Sequence, residues 1–211
     1  CIDKVGIGFL FAPNFHPAMR YVAGPRRELG VRTIFNLLGP LTNPANASYQ
    51  VIGVYDPSLT ETVARVLATL GVAGAMVVHG HDGLDELTLT GPTRVSALRG
   101  GRIETYDIMP EDLGLKRCRP GDLVGGGPRE NARIIRRILS GDERGPKRDI
   151  ALLNAAAALV AAGVTSDLRS GLDMAARAVD KGAAYLKLVS LAEYTRKFAE
   201  RREEFATLGR G

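Results

Sequence analysis

The 211 residues are 45% hydrophobic and 24% charged, the profile of a soluble globular fold rather than a disordered or fibrous chain. That length suits one large domain, or one domain with part of another, and no apolar run approaches the ~18 residues that a membrane helix needs. The net charge of +5 comes from scattered basic residues, six of them in the last helical stretch and tail, whereas a nucleic-acid surface gathers them on one face; neither nucleic acid nor a membrane is an expected partner.

Two cysteines, Cys1 and Cys118, make no disulfide framework in a chain of this length, which points to a reducing compartment, the cytoplasm. The opening Cys1-Ile2-Asp3-Lys4 does not follow the cationic-then-apolar pattern of a secretion signal.

In chain order, Ile2 and Val5 open on a helix-like pattern. A helix after Asn14 takes Pro17 into its first turn, where the missing N–H costs nothing. A short apolar helix is expected over Thr33 to Leu38, closed by Gly39-Pro40. Leu41 to Pro44 reads as extended, since residues before prolines leave the helical region. Tyr49 to Tyr55 is a β-rich run, expected as a strand covered on both faces. Asp56 and Pro57 read as cap and first residue of a helix ended by Gly71, and Ala75 to His79 as a second buried strand. Strand, helix, strand in this order builds a parallel pair with a right-handed crossover.

The middle changes style. Glu86 to Thr90 alternates, turns at Gly91-Pro92, and Arg94 to Leu98 alternates again; Gly100-Gly101 is a hairpin signal leading into Arg102 to Tyr106. An antiparallel addition to the sheet is therefore expected. Residues 107–127 read as irregular. The remainder is helical: from Pro128 to Gly141 with Ile134, Ile135, Ile138 and Leu139 on one face; from Asp149 to Ala162, apolar nearly all round and so the central buried helix; from a cap at Ser166; and from Ala183 to Glu204. The fold class is α/β, a mixed sheet flanked by helices.

The most informative stretch precedes the first strand. It sets small apolar residues beside His16, Asn36, Asn43 and several arginines, more polar groups than a helical hairpin needs, and reads as a wall for a flat, partly apolar anion. Its residues Phe11-Ala12-Pro13-Asn14-x-His16-Pro17-Ala18-Met19, then Arg26-Arg27-Glu28-Leu29-Gly30-Val31-Arg32-Thr33 and Asn36-x-Leu38-Gly39-Pro40-Leu41-Thr42-Asn43-Pro44, together with His79-Gly80-x-Asp82-Gly83-Leu84-Asp85-Glu86, closely resemble the anthranilate phosphoribosyltransferases over essentially the whole chain. The resemblance implies transfer of a phosphoribosyl group from phosphoribosyl pyrophosphate to the amine of anthranilate, in a cytoplasmic homodimer. That family's glycine-rich phosphate turn and Lys-His-Gly-Asn segment do not occur here. The chain is thus expected to be the C-terminal part of a longer protein and inactive alone. Residues 1–43 would be the remnant of a small all-helical domain with the substrate-binding hinge, and 44–211 the large α/β domain.

By the same resemblance Arg26 binds the anthranilate carboxylate. A guanidinium offers the planar bidentate donor that a carboxylate needs, although two arginines on a solvated helix face are the simpler reading of Arg26-Arg27. His16, Pro13, Met19 and Gly39 match residues lining the anthranilate channel, with ordinary packing as the alternative for Met19 and backbone capping for His16. Asp85 and Glu86 match an acidic pair that binds Mg²⁺, a hard cation suited to carboxylates and substrate phosphates; a charged turn is the plain reading. His79-x-His81 lacks further ligands at zinc spacing. Gly125-Gly126-Gly127 lacks the Lys-Ser/Thr of a phosphate loop and reads as a turn. No nucleophile or triad is evident, which suits chemistry done by positioning and electrostatics. Two further readings remain: a pyrimidine nucleoside phosphorylase of the same architecture, and a non-catalytic α/β association module.

Overall fold

The computed structural model describes residues 1–15, 24, 28 and 35–208. Among the described residues, α1 (Ile2–Val5), α2 (Ala12–Phe15) and α3 (Phe35–Leu41) precede a four-stranded sheet. Its strands are β1 (Tyr49–Gly53), β2 (Gly74–Gly80), β3 (Thr93–Arg99) and β4 (Arg102–Ile108), lying in that spatial order. β1 and β2 are parallel, joined through α4 (Leu59–Thr69); the other neighbours are antiparallel. The described residues end in the α-helices α5 (Pro128–Ser140), α6 (Pro146–Ala161), α7 (Leu168–Asp180) and α8 (Ala183–Leu208).

Burial explains this order. All seven residues of β2 are buried, because its two faces are both covered. On one side Met76 and Val78 meet Val95, Leu152, Leu153, Ala156 and Ala157, so α6 lies on the sheet with α7 behind it. On the other, Ala75 and Val77 pack against Val63, Ala64 and Leu67 of α4. Small residues bring α6 and α7 together: a Cβ at Gly171 would stand 2.9 Å from that of Ala156. Within the α4 side runs one polar seam, in which the Ser96 hydroxyl donates to Thr60 Oγ1 (3.0 Å) and pairs with Thr105 Oγ1 (2.8 Å).

Several expectations need correction. β1 stops at Gly53 and is an edge strand among the described residues, so only Ile52 in it is buried. Asp56 does not cap α4: its Oδ1 accepts from Ser58 N (2.9 Å) and Oγ (2.7 Å), a side-chain turn that ends before the helix starts. α3 runs through Pro40 to Leu41, and Leu41 to Pro44 is not extended. So late in a helix, proline forfeits a single bond, and the Thr42 N–H and hydroxyl both still reach the Leu38 carbonyl (3.0 and 2.7 Å). Glu86 to Thr90 is not a strand; side chains bind the backbone of Leu87 and the N–H groups of Thr88 and Thr90, and the Cys118 N–H donates to the Leu89 carbonyl. α5 leaves Ile135 49% exposed and buries only Ile138, since it rests on helices rather than on the sheet. α6 is not apolar-buried all round, for Ala151, Ala155 and Ala158 face solvent. Asp167, not Ser166, caps α7, accepting from Ser170 N at 2.8 Å. The helix expected after Asn14 falls outside the described residues.

Candidate functional site

The carboxyl ends of β1 and β2 lie side by side, and the loop leaving β2 carries the acidic residues. Asp82 holds this loop together. Its Oδ2 accepts from Thr88 Oγ1 (2.6 Å) and from the Thr90 hydroxyl, and its Oδ1 from Leu84 N (3.1 Å). Burial alone would raise the Asp82 carboxyl, but the two threonine hydroxyls and the Leu84 N–H outweigh it and hold the group below its ordinary value. Asp82 is thus committed to its own loop. Gly80 is small for the same reason: a Cβ there would stand 2.5 Å from Asp82 Oδ1.

Asp85 and Glu86 differ. Both are exposed, and neither has a hydrogen bond or ion pair among the described residues. Partial burial, and then the charge of Asp85, push the Glu86 carboxyl up. A like-charged pair with no cationic partner among the described residues suits a hard divalent cation that takes its other ligands from water or a phosphate. Among the described residues no group of three or more His, Cys, Asp or Glu side chains could hold a metal ion, so the pair would supply carboxylate oxygens and not a complete cage.

The backbone around the pair is fixed from two sides. A Cβ on Gly53 would fall 1.6 Å from the Asp85 carbonyl oxygen, so the end of β1 abuts the loop. On the other side Leu87, fully buried, has its N–H and carbonyl bound by the Asn154 side chain of α6, each at 3.0 Å. The Thr88 N–H finds Thr93 Oγ1 at 3.0 Å.

One residue back from Gly53, Ile52 lines a cleft of about 280 Å³ with Leu10, Phe15, Gly39, Pro40 and Asn43. Gly39 is half-buried and a Cβ on it would meet nothing within 4 Å, so its small size leaves space in the cleft and is not demanded by packing. Pro13 lies on α2, whose last residue is Phe15. Arg26, His16 and Met19 lie outside the described residues. Leu10 and Phe15 were not singled out from the sequence; their apolar character on either side of Pro13-Asn14 is the signal that could have found them.

The remaining candidates have other roles. His79 is buried, with Nδ1 2.8 Å from the Val54 carbonyl just past β1, whereas His81 Nε2 lies 3.4 Å from Asp107. Asp107 is held mainly by Arg94, which donates from Nε (2.7 Å) and Nη2 (2.9 Å) across β3 and β4. The two histidines therefore serve different partners. In the glycine run, the Gly126 N–H donates to Asn131 Oδ1 at 2.8 Å, which ties the turn to its own helix. No helix among the described residues is long and apolar enough to cross a membrane.

The anthranilate phosphoribosyltransferase of Desulfosudis oleivorans is 56% identical over 195 residues, 92% of this chain and 58% of its own length. The crystal structure of anthranilate phosphoribosyltransferase (TrpD) from Thermus thermophilus superposes with a TM-score of 0.86 at 48% identity, covering 92% of this chain and 57% of that one. The Saccharomyces cerevisiae enzyme in complex with PRPP and Mg gives a TM-score of 0.73 at 31% identity, over 82% and 50% of the two chains. The present chain thus spans little more than half the length of such relatives. The model of the glycosyl transferase family, a/b domain, matches residues 1–185. With most of its length and its whole sheet inside that match, this chain belongs to the glycosyl transferase family, a/b domain.

Proposed function

We propose that this chain is the C-terminal part of an anthranilate phosphoribosyltransferase, which forms N-(5-phosphoribosyl)anthranilate and pyrophosphate in tryptophan biosynthesis. The observation that carries the reading is the Asp85–Glu86 pair, exposed and without a cationic partner among the described residues, beside a cleft walled by Gly39 and Pro40. Relatives of that name at more than half identity support it. Asp85 and Glu86 would hold Mg²⁺, which neutralises charge on the departing pyrophosphate.

The protein's own groups then bind and orient. Arg26 clamps the anthranilate carboxylate, and His16, Pro13, Met19 and Gly39 line the channel for its ring. Aligning the amine with the anomeric carbon is a positioning task that requires no protein nucleophile. The small helical part ends near residue 43 and the α/β part follows from 44, with the substrate between them. The working protein is a cytoplasmic homodimer.

The test is an assay of the full-length protein with anthranilate, phosphoribosyl pyrophosphate and Mg²⁺, beside one with thymidine and phosphate. Phosphoribosylanthranilate should form only in the first, and the 211-residue chain alone should form none. Phosphorolysis of thymidine in place of anthranilate turnover would overturn the reading.

A further inference from the structure

Leu87 follows the acidic pair directly, and its backbone is paired in an unusual way. A buried N–H and C=O need partners, and no strand supplies them here. The side-chain amide of Asn154, 67 residues away, takes the place of a strand: Oδ1 accepts from Leu87 N (3.0 Å) and Nδ2 donates to Leu87 O (3.0 Å). The second amide hydrogen goes to the Ile150 carbonyl at 3.0 Å, inside α6. Every donor of Asn154 is therefore used, and α6 itself packs on β2 through Leu152, Leu153 and Ala156.

We propose that Asn154 is a positioning residue for the Asp85–Glu86 pair, an inference that rests on their assignment as metal ligands. The buried Leu87 and Leu89 side chains anchor the segment, but apolar contacts are non-directional and leave the Glu86–Leu87 peptide free to rotate. Gripping Leu87 at both polar groups removes that freedom. Gly53 closes against Asp85 from the opposite side, so both carboxylates spring from a backbone held at two points. Asparagine suits the task because one short group both donates and accepts. Aspartate has no donor for the Leu87 carbonyl, and alanine has neither function.

The test is titration of the full-length protein with Mn²⁺ alone, followed by electron paramagnetic resonance of the free ion, in four forms. Asp85→Asn/Glu86→Gln should abolish binding at this site. Asn154→Ala should weaken it about tenfold to hundredfold, the usual effect of losing a group that orients a ligand, and should speed amide exchange at Leu87. Ser96→Ala, which removes a buried hydroxyl and its hydrogen bonds to Thr60 and Thr105 on the far face of the sheet, should lower the melting temperature without changing Mn²⁺ affinity. If Asn154→Ala does not fold, Asn154→Ser serves, since a hydroxyl cannot span both Leu87 groups. Unchanged Mn²⁺ affinity in the Asn154 variant, or an equal loss in Ser96→Ala, overturns the positioning role. Unchanged binding in Asp85→Asn/Glu86→Gln instead overturns the ligand assignment.

Discussion

Gly53 and Asp85 meet so closely that a methyl group on the glycine would stand 1.6 Å from the carbonyl oxygen of the aspartate and 2.7 Å from its Cβ. The last residue of β1 and the first of the acidic pair are therefore one structural unit. The contact explains a glycine at the end of an otherwise bulky strand, Tyr49-Gln50-Val51-Ile52. Gly53→Ala forces the loop to move. The expected cost is about 1–3 kcal/mol of folding stability, as for overpacking elsewhere, together with loss of activity in the full-length protein. Urea unfolding and turnover measure the two. A variant as stable and active as the parent would show that the loop is not seated on β1.

For the acidic pair, Asp85→Asn/Glu86→Gln keeps the shape of both side chains and removes two charges. Activity of the full-length protein should fall and its half-saturating Mg²⁺ concentration should rise, as a Mg²⁺ titration of the initial rate will show. The same titration curve in parent and variant would make the pair a solvated turn.

Arg26 is expected to act on one substrate. Loss of a charge-assisted bidentate contact to a carboxylate costs about 1.5–3 kcal/mol, so Arg26→Ala should raise the KM for anthranilate roughly tenfold to hundredfold. The KM for phosphoribosyl pyrophosphate should change far less. Arg26→Lys should recover only part of the effect, because an ammonium lacks the planar fork. Arg27→Ala is the control; the large effect appearing there instead would shift the assignment by one residue.

Asp167 gives a pH-dependent test away from the site. The Ser170 N–H, followed by the Ser166 and Ser170 hydroxyls, lowers its carboxyl from the ordinary 3.8 to about 2. A depressed carboxylate stabilises the fold above its unfolded value and loses that contribution as pH falls through the folded one. The affected window runs from about pH 4 down to about pH 2. Asp167→Asn should flatten the fall of the urea midpoint across this window, and a slope identical to the parent's would remove Asp167 from the acid response.

Local pattern by itself determined much of the architecture. The seven buried residues of β2 form a short small and apolar run ending in His79-Gly80, and such a run between glycines fits a strand covered on both faces. The hairpin between β3 and β4 was equally legible, because Gly100 and Gly101 take positive φ of 55° and 76°, which few other residues tolerate. The helices from Pro128 onward follow from apolar spacing and Pro/Gly punctuation, and the motif at Asp82 to Glu86 marked the acidic loop. Tertiary structure alone decided what that loop does. Leu87-Thr88-Leu89 alternates like a strand, yet Leu87 and the Thr88 N–H are held by the side chains of Asn154 and Thr93 and the Leu89 carbonyl by the Cys118 N–H, and no local pattern records a hydrogen bond to a helix 67 residues away. Likewise three carboxylates of the loop look alike in sequence. Only the fold brings Thr88 and Thr90 onto Asp82 and leaves Asp85 and Glu86 without partners among the described residues, because a carboxylate's role depends on which donors the surrounding chain carries to it.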